Sequence, residues 1–278
     1  IEVKDYVLGN STLIPLAGPA NKQGRMAADN ICGKNRTYKS VLSTSILKLF
    51  DYTVAMTGAS EKVLKKNNID YEKLFIHPAN HVGYYPGAKL MHIKMLFSKP
   101  EGKILGAQIV GSDGVDRRID IFAVAIRAGM TVFDLQELDL AYAPPYGSGK
   151  DAVNMAGFAA SNILDATVKI VHWNELGEDD FILDVRTKKE FDGNSVPRAI
   201  NIPLDELREN LELLPKDKVI NVYCGVGIRS YIAVRILMQN EFVARNISGG
   251  FITYLSYENK DQLDTPSARQ LREEFCLI

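Results

Sequence analysis

The segment Val219 to Ser230 (Val-Ile-Asn-Val-Tyr-Cys-Gly-Val-Gly-Ile-Arg-Ser) constrains the chain more than any other. A short apolar run of buried-strand type enters a turn with two glycines and leaves it as a helix, which puts Cys224 at the carboxyl end of a strand. Ligands of parallel α/β sheets sit at that end. Gly225 and Gly227 let the backbone curl until successive N–H groups point inward, and the following helix adds the positive end of its dipole. The loop is an anion nest. Fixed N–H dipoles and the cation of Arg229 favour a thiolate over a thiol there, so Cys224 is the candidate nucleophile. The same donors suit a terminal sulfur or an oxyanion attached to Cys224, which is the chemistry of a covalent group carrier. Gly225, Val226, Gly227, Ile228 and Ser230 form the rest of the loop, and Arg229 can either bind a thiosulfate-like anion or complete the loop's hydrogen bonding.

The neighbouring sequence alternates short strands, Phe181 to Val185 and Val219 to Tyr223, with helical stretches such as Ser230 to Gln239. Ile232, Ala233, Ile236 and Leu237 form one stripe of that helix. Such alternation over about 90 residues implies a small, mostly parallel α/β layer structure. Asp184-x-Arg186 at a strand end reads as a structural ion pair that supports the loop. The chain before residue 165 is patterned differently. Met91, Ile93, Met95 and Phe97 share one face of a strand Lys89 to Phe97, and Ser98 to Gly102 turns it into a second strand, Lys103 to Val110. Ser112 or Asp113 can cap a helix carrying Val115, Ile119, Phe122 and Ile126 at 4, 3, 4 spacing, with Gly129 at its end. A further helix is expected over Asp151 to Leu164, and another over Ala20 to Ile31, with a buried start after Pro15 to Pro19 and Gly33 as its terminator.

Composition removes several function classes. There are 33 Lys and Arg against 34 Asp and Glu, a net charge of -1, so no general electrostatic pull towards nucleic acid or anionic lipid exists. The longest strongly apolar run, Ile121 to Ile126, is far short of the roughly 20 residues of a membrane-spanning helix. Cys32, Cys224 and Cys276 are too few and too scattered for a disulfide framework or a zinc site, which fits a reducing, cytoplasmic setting. Cys32 lies in an expected helix and reads as a small buried hydrophobe; Cys276, third from the end, is no prenylation signal. His77, His81, His92 and His172 form no ligand-spaced cluster, so no metal is expected. The chain opens on Ile1, and translation is expected to start upstream of it.

Cys-Gly-Val-Gly-Ile-Arg-Ser closely resembles the active-site loop of single-domain rhodaneses, the sulfurtransferases that carry sulfane sulfur as a cysteine persulfide. Leu183-Asp-Val-Arg186, Glu190-Phe191 and Ala199-Ile-Asn-Ile-Pro-Leu204 resemble the family's other markers in the usual order, with Ser195 where His is common and Arg198 where Gly is common. The resemblance implies a six-residue loop suited to sulfur transfer, whereas the related phosphatases carry a longer one. Pro15-Leu-Ala-Gly-Pro-Ala-Asn-Lys-Gln-Gly-Arg25 and Ala141-Tyr-Ala-Pro-Pro-Tyr-Gly-Ser-Gly-Lys-Asp151 resemble coenzyme A-disulfide reductases, a branch of the pyridine nucleotide-disulfide oxidoreductases, including members with a fused carboxyl-terminal rhodanese. This second resemblance implies roles for two groups of residues. Pro15, Leu16, Ala17, Ala20 and Asn21 would contact a flavin through a helix start. Tyr84 and Tyr142, with Tyr85 and Tyr146 as alternatives, would reach the partner subunit's active site and position a coenzyme A disulfide.

The expected fold is an α+β dimerisation domain of flavin disulfide reductases followed by a small α/β rhodanese-like domain. The expected limits are 1–35 for the end of an FAD-binding domain, 36–165 for the dimerisation domain, 170–260 for the rhodanese domain and 261–278 for a tail. The resemblance implies FAD, NAD(P)H and coenzyme A in a parent homodimeric enzyme that reduces a coenzyme A disulfide, persulfide or polysulfide. Its flavin- and nicotinamide-binding amino-terminal half is expected to be missing here, and this chain alone is expected to retain no cofactor. Small sulfur compounds or coenzyme A persulfide are the expected partners. The alternatives are a non-catalytic dimerisation and persulfide-carrier-binding module with a degenerate rhodanese, and a low-pKa cysteine phosphatase, which the short loop disfavours.

Overall fold

The computed structural model describes residues 1–258 of the 278. The expected tail 261–278, and Cys276 with it, lies outside the described residues. Two compact units divide the described residues: Ile1–Lys73 with Pro78–Ser161, and Leu74–His77 with the described chain that follows Ser161.

The first unit opens with β1 (Val3–Lys4) and β2 (Ser11–Thr12), an antiparallel pair, and α1 (Ala17–Ile31). The chain continues through β3 (Ser45–Leu49), β4 (Tyr52–Gly58), α2 (Glu61–Lys66), β5 (Glu72–Ile76), whose residues from Leu74 on fall to the second unit, β6 (Met91–Phe97) and β7 (Ile104–Gly111). These strands form one sheet in the order β3-β4-β7-β6-β5, antiparallel across β3–β4, β4–β7 and β7–β6. The expected hairpin is β6–β7, and its four alternating residues Met91, Ile93, Met95 and Phe97 are all buried. Alternation succeeds here because a two-residue period puts every second side chain on the core face, each worth about 1.5–3 kcal/mol when buried.

Next come α3 (Val115–Ala128), α4 (Val132–Glu137) and α5 (Ala152–Leu164). α3 packs on β4 and β7 and buries its expected stripe, then stops at Gly129, whose φ of 73° suits a residue without a Cβ. Its amino-terminal cap differs from the expectation. Neither Ser112 nor Asp113 caps it; Gly114 does, at φ 73°, and a Cβ there would stand 2.6 Å from Arg118 Nη1. Space for a buried arginine has selected glycine over a side-chain cap. α5 carries mainly small buried residues, and Gly157 lets it approach α4 where a Cβ would meet Leu135 Cβ at 2.8 Å.

The second unit holds β8 (Ile170–Val171), β9 (Phe181–Asp184), α6 (Lys188–Gly193), β10 (Ile200–Asn201), β11 (Ile220–Tyr223), α7 (Ile228–Gln239), β12 (Ala244–Ile247) and α8 (Gly250–Glu258). Its sheet runs β10-β9-β11-β12-β8 and is parallel at every pairing. Both faces are covered, as parallel sheets require. Leu183, Val185, Ile220, Val222, Ala233, Val234 and Leu237 fill one side; Val171, Ile182, Tyr223, Ile247 and Phe251 fill the other. Asn221, fully buried in β11, is satisfied by donating to Phe181 O and accepting from Arg245 Nε.

Arg198 stands in the left-handed region at φ 68°. That conformation costs an L-residue about 1–2 kcal/mol, a cost glycine escapes. Arg198→Gly should therefore stabilise the chain by about 0.5–1 kcal/mol in urea unfolding, once glycine's larger unfolded-state entropy is deducted. A loss of stability would show that this turn is held by the arginine side chain instead.

Candidate functional site

β11 is hydrogen-bonded on both sides, to β9 and β12, and it delivers Cys224 just beyond its last residue. The cysteine is 1% exposed. Gly227 N–H donates to Cys224 Sγ at 3.1 Å and the Ser230 hydroxyl donates at 3.5 Å, so the sulfur receives one main-chain and one side-chain donor. Gly227, at φ 108°, makes the turn into α7 in a conformation other residues rarely adopt. Val226 is half-buried, while Ile228 is exposed at the helix start. The loop is thus a curled cradle around one sulfur, on the first turn of a helix of twelve residues.

Two further supports were not legible in the loop itself. The first turn of α8 binds the loop's carbonyls: Phe251 N–H donates to Cys224 O at 2.8 Å and Ile252 N–H to Gly225 O at 3.1 Å. Gly250 makes this approach possible, because a Cβ on it would lie 2.4 Å from Cys224 O, and its φ is 54°. Gly250→Ala should cost about 2 kcal/mol of stability, from left-handed strain and the backbone clash together. Urea unfolding measures it, and a change below about 0.5 kcal/mol would mean the carbonyl contact is dispensable. Glu190 is the second support. Its carboxylate accepts from Arg229 Nη1 at 2.7 Å and from Nη2 at 2.6 Å. The Arg229 hydrogen bonds, reinforced by Thr187 N–H and hydroxyl, pull the Glu190 pKa down to about 2 against the opposing effect of burial. The Thr-x-x-Glu capping box of α6 was readable from sequence; the arginine 39 residues away was not.

Asp184 and Arg186 form a buried ion pair at 2.7 Å. Arg186 also donates to Asn194 O at 2.7 Å and lies 4.1 Å from the centre of the Phe251 ring, while Asn201 bonds the carbonyls of both residues. Burial opposes the Arg186 charge, yet the Asp184 hydrogen bonds outweigh it and raise its pKa. The pair therefore braces β9 and the segment after it.

In the first unit, the Tyr84 and Tyr142 hydroxyls stand 3.3 Å apart, both side chains exposed. That hydrogen bond raises the Tyr142 pKa. Tyr85 meets the His81 ring edge to face at 5.6 Å, and Tyr146 is exposed with its carbonyl bound by Arg117 at 3.0 Å. Arg118 is the hub beneath them. Fully buried, it donates to Asp151 Oδ2 at 2.7 Å, to Asn80 O at 2.9 Å and to Tyr146 O at 3.4 Å, joining the loop that carries Tyr84 to the loop that carries Tyr142. Arg117 adds a bond to Ala141 O at 2.8 Å, and Val82 N–H ties the loops again through Gly147 O at 3.0 Å.

Residues 44–152 match the pyridine nucleotide-disulphide oxidoreductase dimerisation domain, and residues 171–256 match the rhodanese-like domain. The chain joins these two domains in that order. It is 50% identical to the reduced CoADR-RHD protein of Bacillus anthracis, with a TM-score of 0.87 over 90% of this chain and 46% of that one. An NAD-dependent persulfide reductase from A. fulgidus is 38% identical, with a TM-score of 0.84 and the same coverage. Among curated proteins, a coenzyme A disulfide reductase of Staphylococcus haemolyticus is 38% identical over 54% of this chain. The chain spans about a third of that relative's length, 34%.

Ahead of the dimerisation-domain match, α1 starts at Ala17, three residues before the expected Ala20, because Pro19 falls in its first turn where a missing N–H does no harm. The expected buried start is not found: α1 buries none of its residues against this chain. No side chain caps it, and Pro15, Leu16, Ala17 and Ala20 line a shallow groove beside its free N–H groups, while the Asn21 amide turns back to Ala17 O at 2.9 Å. Cys32 corrects a second expectation. It is exposed at the carboxyl cap of α1, a helix that buries none of its residues against this chain. Among the described residues, no group of three or more His, Cys, Asp or Glu side chains could hold a metal, and no helix is long and apolar enough to cross a membrane.

Proposed function

We propose that the rhodanese-like domain carries sulfane sulfur as a persulfide on Cys224, within an FAD- and NAD(P)H-dependent reductase of coenzyme A disulfides, persulfides or polysulfides. The observation that carries this reading is the sulfur itself, held at a strand's carboxyl end with the Gly227 N–H and the Ser230 hydroxyl donating to it. Such donors stabilise a thiolate ready to attack and then the terminal sulfur it acquires. In the loading step the Cys224 thiolate attacks the outer sulfur of a thiol persulfide, R–S–SH. A new S–S bond forms to Cys224, the R–S to SH bond breaks, and R–S⁻ leaves with the electron pair. The proton stays on the transferred sulfur and no net oxidation occurs.

In the same proposal the domains run over 1–35, 36–165 and 170–260, and the chain works as a homodimer with an amino-terminal flavin- and nicotinamide-binding portion. Tyr84 and Tyr142 position the coenzyme A disulfide: each hydroxyl can donate to a departing thiolate while its ring packs beside the pantetheine arm. The uncapped start of α1, where Pro15, Leu16, Ala17 and Ala20 line the groove, supports contact with the electron-rich edge of a flavin, and Asn21, whose amide bonds Ala17 O, is assigned to the same contact. Bound there, a flavin supplies the electron transfer that side chains cannot.

Mass spectrometry after exposure of the reduced chain to a sulfane-sulfur donor tests the reading. A gain of one sulfur on Cys224, reversed by a thiol reductant, is the expected result. No adduct at any donor ratio would favour a module that only binds persulfide carriers.

A further inference from the structure

We propose that Glu190 sets the donor selectivity of the Cys224 loop, disfavouring dianionic donors such as thiosulfate relative to a thiol-borne sulfane sulfur. The inference deepens the persulfide reading and rests on it. A dianion approaching a thiolate needs an uncompensated cation beside the sulfur, and Arg229 is the loop's own candidate. Both terminal guanidinium nitrogens of Arg229 are already engaged, bidentate, by the two Glu190 oxygens at 2.7 and 2.6 Å. The guanidinium nevertheless lies against the loop, since a Cβ built on Gly225 would come within 3.6 Å of its Nη2. The arginine is in place but its charge is matched.

Glu190 is itself fixed by the capping box of α6, with its Oε2 accepting from Thr187 N–H at 3.1 Å and from the Thr187 hydroxyl at 2.9 Å. The carboxylate therefore does not swing away freely when a donor arrives. Arg186, the other arginine of the site, is no substitute, being buried and paired with Asp184. The loop's outer residue is apolar: Ile228 is exposed at the start of α7. A thiol persulfide brings at most one negative charge to the loop and meets the smaller electrostatic penalty, whereas thiosulfate brings two and meets a compensated cation and the Glu190 carboxylate. For thiosulfate the step would be attack by the Cys224 thiolate on the outer sulfur, with sulfite leaving as the dianion and the acquired sulfur remaining as the persulfide anion.

The test is single-turnover sulfur loading of Cys224 in the full chain, quenched and read by mass, with thiosulfate and with the persulfide of 2-mercaptoethanol as donors. Glu190→Gln keeps the shape and an acceptor for Thr187 while removing the charge. We expect it to raise the ratio of thiosulfate to persulfide loading rates by about tenfold. Adding Arg229→Met should abolish that rise, because the gain is routed through the freed guanidinium. If Glu190→Gln proves unstable, Glu190→Asp, with its carboxylate drawn back by one methylene, should raise the ratio by a smaller factor. A ratio unchanged within twofold, or a rise that survives the loss of Arg229, overturns the selectivity role and leaves the persulfide reading standing. If the wild-type chain loads from neither donor, both fail together.

Discussion

Cys224→Ser should lower sulfur transfer from a thiol persulfide, the donor class the loop favours, by at least about a thousandfold, with the fold intact. The serine hydroxyl fits the same volume and can accept the Gly227 and Ser230 hydrogen bonds, so structure is not what the change removes. What it removes is an atom able to bond a second sulfur and release it. The contribution of the cradle is separate and survives the substitution, because its donors are backbone and a neighbouring hydroxyl. Far-ultraviolet circular dichroism and urea unfolding check the fold alongside the assay. Equal rates for the two proteins would take Cys224 out of the mechanism.

Arg118→Met should cost about 3–5 kcal/mol of stability. The arginine and its partner Asp151 are both buried, and the carboxylate would lose the Arg118 Nε bond at 3.3 Å and the Nη2 bond at 2.7 Å. Methionine fills the volume but leaves a charge without its closest counterion, and that is the expensive part. Arg117 Nη2, 3.8 Å from Asp151, is too far to replace it. The same change frees Asn80 O and Tyr146 O, so the loops bearing Tyr84 and Tyr142 lose their shared tether. Urea unfolding supplies the stability, and a tyrosine titration supplies the second readout: the raised Tyr142 titration should fall back towards its ordinary value as the pair separates. A loss below about 1 kcal/mol would mean that water or Arg117 takes over the carboxylate.

Much of the fold was readable because short-range periodicity decided it. β6 and β7 follow from alternation, and α3 follows from the stripe Val115, Ile119, Phe122, Ile126 with Gly129 behind it. Arg118 lies on that buried face, three residues after Val115, yet its charge hid it from a hydrophobic pattern. Only the acceptors supplied by distant loops make its burial tolerable, and those are not local information. The start of α1 departs from the expectation because a helix end is set by a single residue, here Pro19, and Cys32 does so because no residue of α1 is buried against this chain. At the Cys224 loop, the strand, the glycine turn and the helix were all visible in one segment. Its two outside supports, Glu190 and Gly250, arrive from far along the chain and required the folded arrangement.

The placement of Cys224 directly after β11 bears on how any cargo is passed on. β11 is the middle strand of its sheet, laddered to a neighbour along each edge, and such strands are among the last parts of a domain to open. If Cys224 carries sulfur as proposed, that atom is fixed within its own sheet and cannot travel as a swinging arm does. On that reading donor and acceptor must come to the sulfur, so turnover should respond to how far an incoming molecule's thiol can reach.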